Sequence, residues 1–516
     1  MPALAALRAR LAETSDLSHA AAVLEWDQET HMPPGSAEAR GQQVATLRRV
    51  AHERFTDPAV GDALAAAAGE AESDLDRALV RVTRRDWQRA TRLPARLVAE
   101  KAETAGRAKE AWKAAREADR FALFAPHLQR TLDLVREEAA LVRPLVAEER
   151  GAGYAPTEAD ALYDALLDTY EPGASTAEVA RVFEQLQADL VPLVAAIAEC
   201  PPPDDAFLHA PYDADRQWAF GVETAGAFGY RFDRGRQDRS AHPFTTSFGI
   251  TDVRITTRVD ERFFPTAFFG TVHEVGHGLY EQGIDPALAR TPLADGASLG
   301  LHESQSRLWE NLVARSAPFW EGAYPRLQAL FPAALADVDR GAFVRAVNRV
   351  EPSLVRVEAD ELTYHLHVLL RFQIERALVA GTLDVADVPD AWNAGMRDLL
   401  GVTPPSDADG CLQDIHWALG AIGYFPTYTL GTLMSVQLWE AAARDLGELG
   451  PLVRAGTFEP LLGWLREHVH RWGRARPAGE VLRDATGSDL DAGPWTAYAR
   501  RKYGALYGLA DAAASA

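Results

Sequence analysis

The stretch Phe244–Gly283, FTTSFGITDVRITTRVDERFFPTAFFGTVHEVGHGLYEQG, changes its period partway along. From Phe244 to Val259 β-branched residues dominate and apolar positions partly alternate, which predicts a short hairpin. From Pro265 onward the spacing turns helical. Phe264, Phe268, Val272, Val275 and Leu279 recur at helical intervals and make one apolar stripe. At about 100° per residue, His273 and His277 fall on nearly the opposite side of that helix. Pro265 suits a first turn. Gly270, Gly276 and Gly278 are poor helix formers that cluster beside the histidines, where a close ligand or backbone approach favours them.

Outward from this stretch the pattern is helical in both directions. Residues 1–200 are rich in Ala, Leu, Arg and Glu, and the opening MPALAALRARLAETSDLSHA reads as an amphipathic helix. Ser175 with Glu178 forms a capping box, and Val179, Val182, Phe183, Leu186 and Leu190 follow at helical spacing. Pro and Gly breaks at Met32–Gly35, Gly151–Pro156 and Pro201–Pro203 are too short for domain linkers and predict helix–helix turns. Helical patterns continue from Pro265 nearly to the C-terminus, interrupted at Gly401–Asp409. The expected class is therefore mainly α, with a small β-sheet beside the chemistry. The 516 residues suit three ordinary domains or one large body, and 47% hydrophobic residues can fill a sizeable core. We take residues 1–516 as one domain, with a helical part at 1–200 and a catalytic part at 201–516.

Acidic residues outnumber basic ones 74 to 53, for a formal charge of −21. Such a chain is ill suited to nucleic acid, whose phosphates need clustered Lys and Arg. The N-terminus lacks the basic and apolar segments of a secretory signal, and no run of about 18 apolar residues predicts a membrane span. The two cysteines, Cys200 and Cys411, are far apart and suit a reduced, cytoplasmic setting.

Residues 273–277 read His-Glu-Val-Gly-His. Positions four apart on a helix lie one turn above each other, so two imidazoles can grip one zinc ion at about 2.0–2.1 Å. Glu274 flanks the same face and suits the base that takes a proton from a zinc-activated water. A catalytic zinc needs a third protein ligand and one open position. The extension HExxHxxGxxH is absent, since Tyr280 and Gly283 stand where it requires Gly and His. A Glu from a following helix is the remaining common solution. Glu303 in LHESQSRLWENLVARS (301–316) is favoured, with His302 and Glu310 as competitors. Glu281 lies one turn past His277, where a straight helix carries it away from the ion.

Several ordered stretches together resemble the Taq-type thermostable metallocarboxypeptidase family. They are HEVGH at His273–His277, HESQ at His302–Gln305, HPF at His242–Phe244, and Asp252, Arg254 and Thr256 of a DxRxT strand. Val355, Arg356, Ala359 and Asp360 fit (I/V)RxxAD, and Gly410, Gln413, Asp414, His416 and Trp417 fit GxxQDxHW. WDQETxMP at Trp26–Pro33 and FPTYTLG at Phe425–Gly431 match as well. The resemblance implies a cytoplasmic, largely helical enzyme with a deep central groove, usually a homodimer. It implies release of C-terminal residues with broad specificity, Glu303 as third ligand, and zinc that cobalt can replace.

A carboxypeptidase must recognise a free carboxylate, which the planar guanidinium fork does bidentately. Arg356 and Arg254 are the candidates, and His242 of HPF is placed with them. Asp360, four residues after Arg356, is the partner expected for that arginine, on a stretch with Leu354, Val355, Val357 and Leu362 patterned for burial. His416 is expected to contact substrate or the developing oxyanion, with Tyr428 a second candidate. Asp252 and Asp414 are expected to orient a histidine. His365 and His367, two apart on a helix, cannot share a face and read as packing or surface residues. The other classes compatible with the motifs are a helical zinc oligoendopeptidase and a non-catalytic peptide-binding relative; the intact Glu274 argues against the latter.

Overall fold

The computed structural model describes residues 2–509; residues 1 and 510–516 lie outside it. Helix accounts for 71% of it, which fixes the class as mainly α, and the described residues hold one three-stranded sheet. The helices used below are α1 (Pro2–Thr30), α2 (Thr176–Ala198), α3 (Ala214–Phe228), α4 (Phe264–Gly283), α5 (Leu299–Arg307) and α6 (Thr363–Ala380). The strands are β1 (Gln237–Arg239), β2 (Thr245–Ser247) and β3 (Val253–Thr257). The chain divides into two compact units, each discontinuous in sequence. The first comprises residues 1–90, 203–347 and 434–490; the second comprises 91–202, 348–433 and 491–516.

In the first unit the predicted hairpin forms. β2 pairs antiparallel with β3, Thr246 opposite Arg254, and Gly249 takes φ +119° in the turn, where a side chain would be strained. The sequence reading missed β1, which pairs parallel with β3. Its Gln-Asp-Arg is too short and polar to show a period, and only the neighbouring strand holds it. α4 lies along this sheet with Pro265 in its first turn and is buried almost all round. Phe264 and Phe268 stack at 5.4 Å and meet Phe220 of α3 and Trp320. Each such large apolar side chain stabilises the unit by about 1.5–3 kcal/mol.

α1 begins the chain as predicted, burying Leu4, Leu7 and Leu11. Trp26 near its end stacks on the Arg254 guanidinium at 4.2 Å, and the following His31 reaches Asp238 of β1 at 3.1 Å. The early WDQET segment thus braces the sheet.

In the second unit α2 starts at Ser175 with both bonds of the capping box made. Phe183 of α2 meets Phe372 of α6 with ring centroids 5.2 Å apart. α6 buries His365 and His367 in the core, together with Arg371 and Glu375. The break predicted at 401–409 runs further: between Leu400 and Pro426 the only helical element is the 3-10 turn His416–Leu419.

Candidate metal centre

α4 presents His273 and His277 one turn apart, and α5 brings Glu303 to face them. Glu303 Oε2 lies 3.7 Å from His273 Nε2 and 3.5 Å from His277 Nε2. One donor atom from each of the three falls within 4.8 Å of the others, an arrangement able to hold a metal ion. The approach of the helices depends on Gly276. A Cβ there would stand 2.5 Å from the Ser306 Cα and 2.6 Å from the Gln305 carbonyl oxygen, both main-chain atoms of α5. Gly278 in turn admits the Tyr230 ring, which a Cβ would meet at 2.9 Å.

The competitors for the third place have other partners. Glu310 lies in the π-helical turn Leu308–Ala314 that follows α5, and its Oε2 stands 3.0 Å from His273 Nδ1. Arg307 and Arg315 hold Glu310 in place. His302 Nδ1 stands 2.5 Å from His277 Nδ1, and its Nε2 2.8 Å from Glu281 Oε1. The carboxyls of Glu274, Glu281, Glu303 and Glu310 are all buried; Arg307 meets Glu303 and Glu310, and Arg315 meets Glu310. Glu274 lies against Thr245 and Glu281 against His302, so four acidic side chains gather around this face, a setting that suits a cation.

The two imidazoles of the site differ in their electrostatics. Burial lowers the His277 imidazole to about 3, so it is neutral with a free lone pair. Burial opposes ionisation of Glu303, but Arg307 and His273 outweigh it and hold the carboxyl well below the usual range. Burial would also lower His273, yet Glu303 and Glu310 raise it on balance. A cation at the Nε2 atoms would reverse that balance. Burial raises Glu274, whose Oε2 accepts a 2.7 Å bond from Thr245 Oγ1 of β2. The same hydroxyl lies 3.0 Å from the Glu274 carbonyl oxygen, so the strand fixes both backbone and carboxyl of this residue. A cavity of about 470 Å³ opens beside β2, lined also by Ser15, Ser18 and His19 of α1 and by Glu281. Thr245 was not among the predicted site residues; its only sequence signal is its place in the β-branched run.

The remaining candidates separate into two groups. His242 and Arg254 lie in the first unit. His242 is exposed between β1 and β2, and its carbonyl accepts from Ser240 Oγ. Arg254 forks onto Asp252 at 2.9 and 2.8 Å, and its guanidinium carbon lies 4.2 Å from the Trp26 ring and 4.7 Å from the Phe248 ring. Asp252 therefore holds an arginine, not the histidine expected of it.

Arg356, His416 and Tyr428 lie in the second unit. Arg356 is buried but does not pair with Asp360. The chain near it is an irregular segment with a short 3-10 turn, so a four-residue spacing brings no common face. Asp360 instead accepts from the Glu351, Leu362 and Thr363 amides, and Val357, expected inside, is 71% exposed. The partner of Arg356 is Asp414, whose Oδ1 accepts from Nε at 3.1 Å and Nη2 at 2.7 Å. Its Oδ2 accepts from Arg371 Nε at 2.7 Å. Asp414 thus serves two arginines, while His416 Nδ1 stands 3.9 Å from it. Gln413 Oε1 accepts from Arg371 Nη2 and from the Arg356 amide. Tyr364 accepts from Arg356 Nη1 at 2.7 Å, and the guanidinium carbon lies 5.2 Å from the Tyr428 ring. Burial lowers His416 to about 4, so it is a neutral imidazole. Arg371 was absent from the candidates because it sits mid-helix with no motif around it.

The family model described as Carboxypeptidase Taq (M32) metallopeptidase matches residues 6–503. The chain is 44% identical over 502 residues to thermostable carboxypeptidase 1 of Thermus thermophilus, covering 96% of this chain and 97% of that one. It is 36% identical over 501 residues to carboxypeptidase 1 of Bacillus subtilis, at 96% and 97% coverage. Among solved structures, the M32 carboxypeptidase of Deinococcus radiodurans superposes with a TM-score of 0.94 at 42% identity, over 99% of this chain and 100% of the other.

Proposed function

This chain belongs to the Carboxypeptidase Taq (M32) metallopeptidase family and is a metallocarboxypeptidase; from that premise we propose that it releases C-terminal residues from peptides with broad specificity, using zinc held by His273, His277 and Glu303 and Glu274 as general base. Cobalt is proposed to substitute for zinc. The observation that carries the reading is the convergence of two imidazole nitrogens and one carboxylate oxygen, beside a second carboxyl that Thr245 holds. When bound, the ion supplies Lewis acidity, lowering the pKa of a water and polarising the scissile carbonyl. Glu274, raised by burial, accepts the proton of the attacking water and delivers it to the leaving amine.

The substrate's terminal carboxylate is assigned to Arg356. Arg356 and Arg371 share Asp414, so two guanidiniums face one carboxylate, and the surplus positive charge favours a second. His416, neutral, and Tyr428 are assigned to the substrate carbonyl or the developing oxyanion. Arg254 and His242 are assigned to the rest of the peptide. Reading residues 1–516 as one catalytic domain belongs to the same proposal, as do a homodimer and a cytoplasmic setting. Cys200 and Cys411 are free thiols, and no described helix is long and apolar enough to cross a membrane.

The test is a time course on one peptide with a free C-terminus and on its amidated twin, read by mass spectrometry. Stepwise shortening of the free form, with the amide nearly untouched, is expected. Internal cleavage of both would replace the reading with an oligoendopeptidase.

A further inference from the structure

The two ligand histidines are oriented by unlike partners. His273 Nδ1 faces a carboxylate directly, Glu310 Oε2 at 3.0 Å. His277 Nδ1 faces another imidazole, His302 Nδ1 at 2.5 Å, and a carboxylate only beyond it, where Glu281 Oε1 lies 2.8 Å from His302 Nε2. We infer that His302 and Glu281 form a positioning relay that fixes the His277 ring with its Nε2 lone pair turned toward the ion. The inference rests on the metal site proposed above.

The direction of the relay follows from counting protons. An ion held at His277 Nε2 requires a lone pair there, so the ring's proton is on Nδ1, which faces His302 Nδ1 and donates to it. His302 then carries its own proton on Nε2, which faces Glu281 Oε1. His277 Nε2 is also the atom 3.5 Å from Glu303 Oε2. Had His277 no acceptor at Nδ1, its proton could sit on either nitrogen, and one tautomer would present an N–H to the ion.

The surroundings keep His302 in register. The Tyr280 ring lies 5.1 Å from its centroid, and the Tyr280 hydroxyl accepts from the Ala297 amide at 3.2 Å. Gly296 lies against the other part of the ring, since a Cβ there would stand 2.7 Å from His302 Cδ2. Packing of this kind holds the ring in place but supplies no acceptor; the relay adds one. The two roles differ in the side chains that can replace the histidine.

Substitution separates them. His302→Phe keeps a ring and loses the acceptor. His302→Asn loses the ring and returns a carbonyl oxygen close to the Nδ1 position. Metal affinity is measured on the full chain by chelator competition with zinc and with cobalt, and metal-free melting curves report the fold. The relay predicts affinity lower by about 10–100-fold for His302→Phe, the range for loss of a partner behind a ligand, and within a few-fold of wild type for His302→Asn. Wild-type affinity in the Phe variant, or an Asn variant as weak as the Phe one, overturns the relay. If His302→Phe does not fold, Glu281→Gln and Glu281→Leu decide: Gln keeps an acceptor for His302 and should bind more tightly than Leu, and equal affinities overturn the relay. Failure of the metal reading looks different. There the wild type binds no stoichiometric ion, or Glu303→Ala binds it as well as wild type, and the relay falls with it.

Discussion

Two buried charge clusters, one in each unit, are built on opposite plans. Around α4 and α5, carboxyls outnumber guanidiniums and enclose the imidazoles of His273, His277 and His302. Around Asp414, guanidiniums outnumber carboxylates: Arg356 and Arg371 share one acceptor, and the neighbouring histidines 367 and 416 are neutral, with burial lowering them to about 3 and about 4. The first plan suits a cation and the second an anion. Burial makes the contrast consequential, because an unmatched charge costs several kcal/mol away from water and so calls for a ligand of the missing sign. A carboxypeptidase needs both signs, an ion at the reacting carbonyl and a site for the peptide's terminal carboxylate.

The comparison breaks most sharply at Glu274. Glu274→Gln keeps the side chain's shape and its place beside Thr245 but cannot take a proton. The expected fall in kcat is about 10²–10⁴-fold with metal content unchanged, checked by peptide hydrolysis and elemental analysis of the same sample. Near-normal turnover would remove Glu274 from the chemistry.

The anion cluster is probed next through its single carboxylate. Asp414→Asn leaves two buried guanidiniums without a counter-charge and should cost about 3–5 kcal/mol of unfolding free energy in urea titrations near pH 7. Burial opposes ionisation of Asp414, but Arg371 and Arg356 outweigh it and hold the carboxyl well below its usual range. A depressed carboxyl adds stability above its unfolded pKa and loses it as pH falls toward the folded value. The gap between wild type and Asp414→Asn should therefore be full at neutral pH and narrow as pH drops below about 4. A gap independent of pH would mean that Asp414 acts through shape alone.

The finest test distinguishes charge from geometry. Arg356→Lys keeps the charge and loses the fork. The expected loss in kcat/KM on free-carboxylate peptides is about 1.5–3 kcal/mol, with much less on amidated ones. Equal losses on both would make Arg356 a structural residue and move the anchor to Arg254 or His416.

The two clusters were unequally legible in the sequence. His273 and His277 are one helical turn apart, and Glu303 follows within the next helix, so local spacing brings all three into view. The hairpin and the capped start of α2 were legible for the same reason, since both depend on neighbours in sequence. The anion cluster joins residues 356, 371 and 414, and no periodicity relates them. Pairing Arg356 with Asp360 applied a helical rule to a segment that is not helical. Glu310 and His302 were visible as possible ligands. Their roles behind His273 and His277 depend on which ring nitrogen faces which helix, and that is a tertiary matter. β1 stayed hidden because its stability comes from β3.

The glycine at 276 governs a distance as well as a contact. Where two helices touch main chain to main chain, neither can slide or turn without the other giving way. The donors on α4 and α5 are therefore set at their separation by backbone contact more than by side-chain choice. A methyl group added at 276 would be felt first as a wider gap between the donors, before any donor itself is changed.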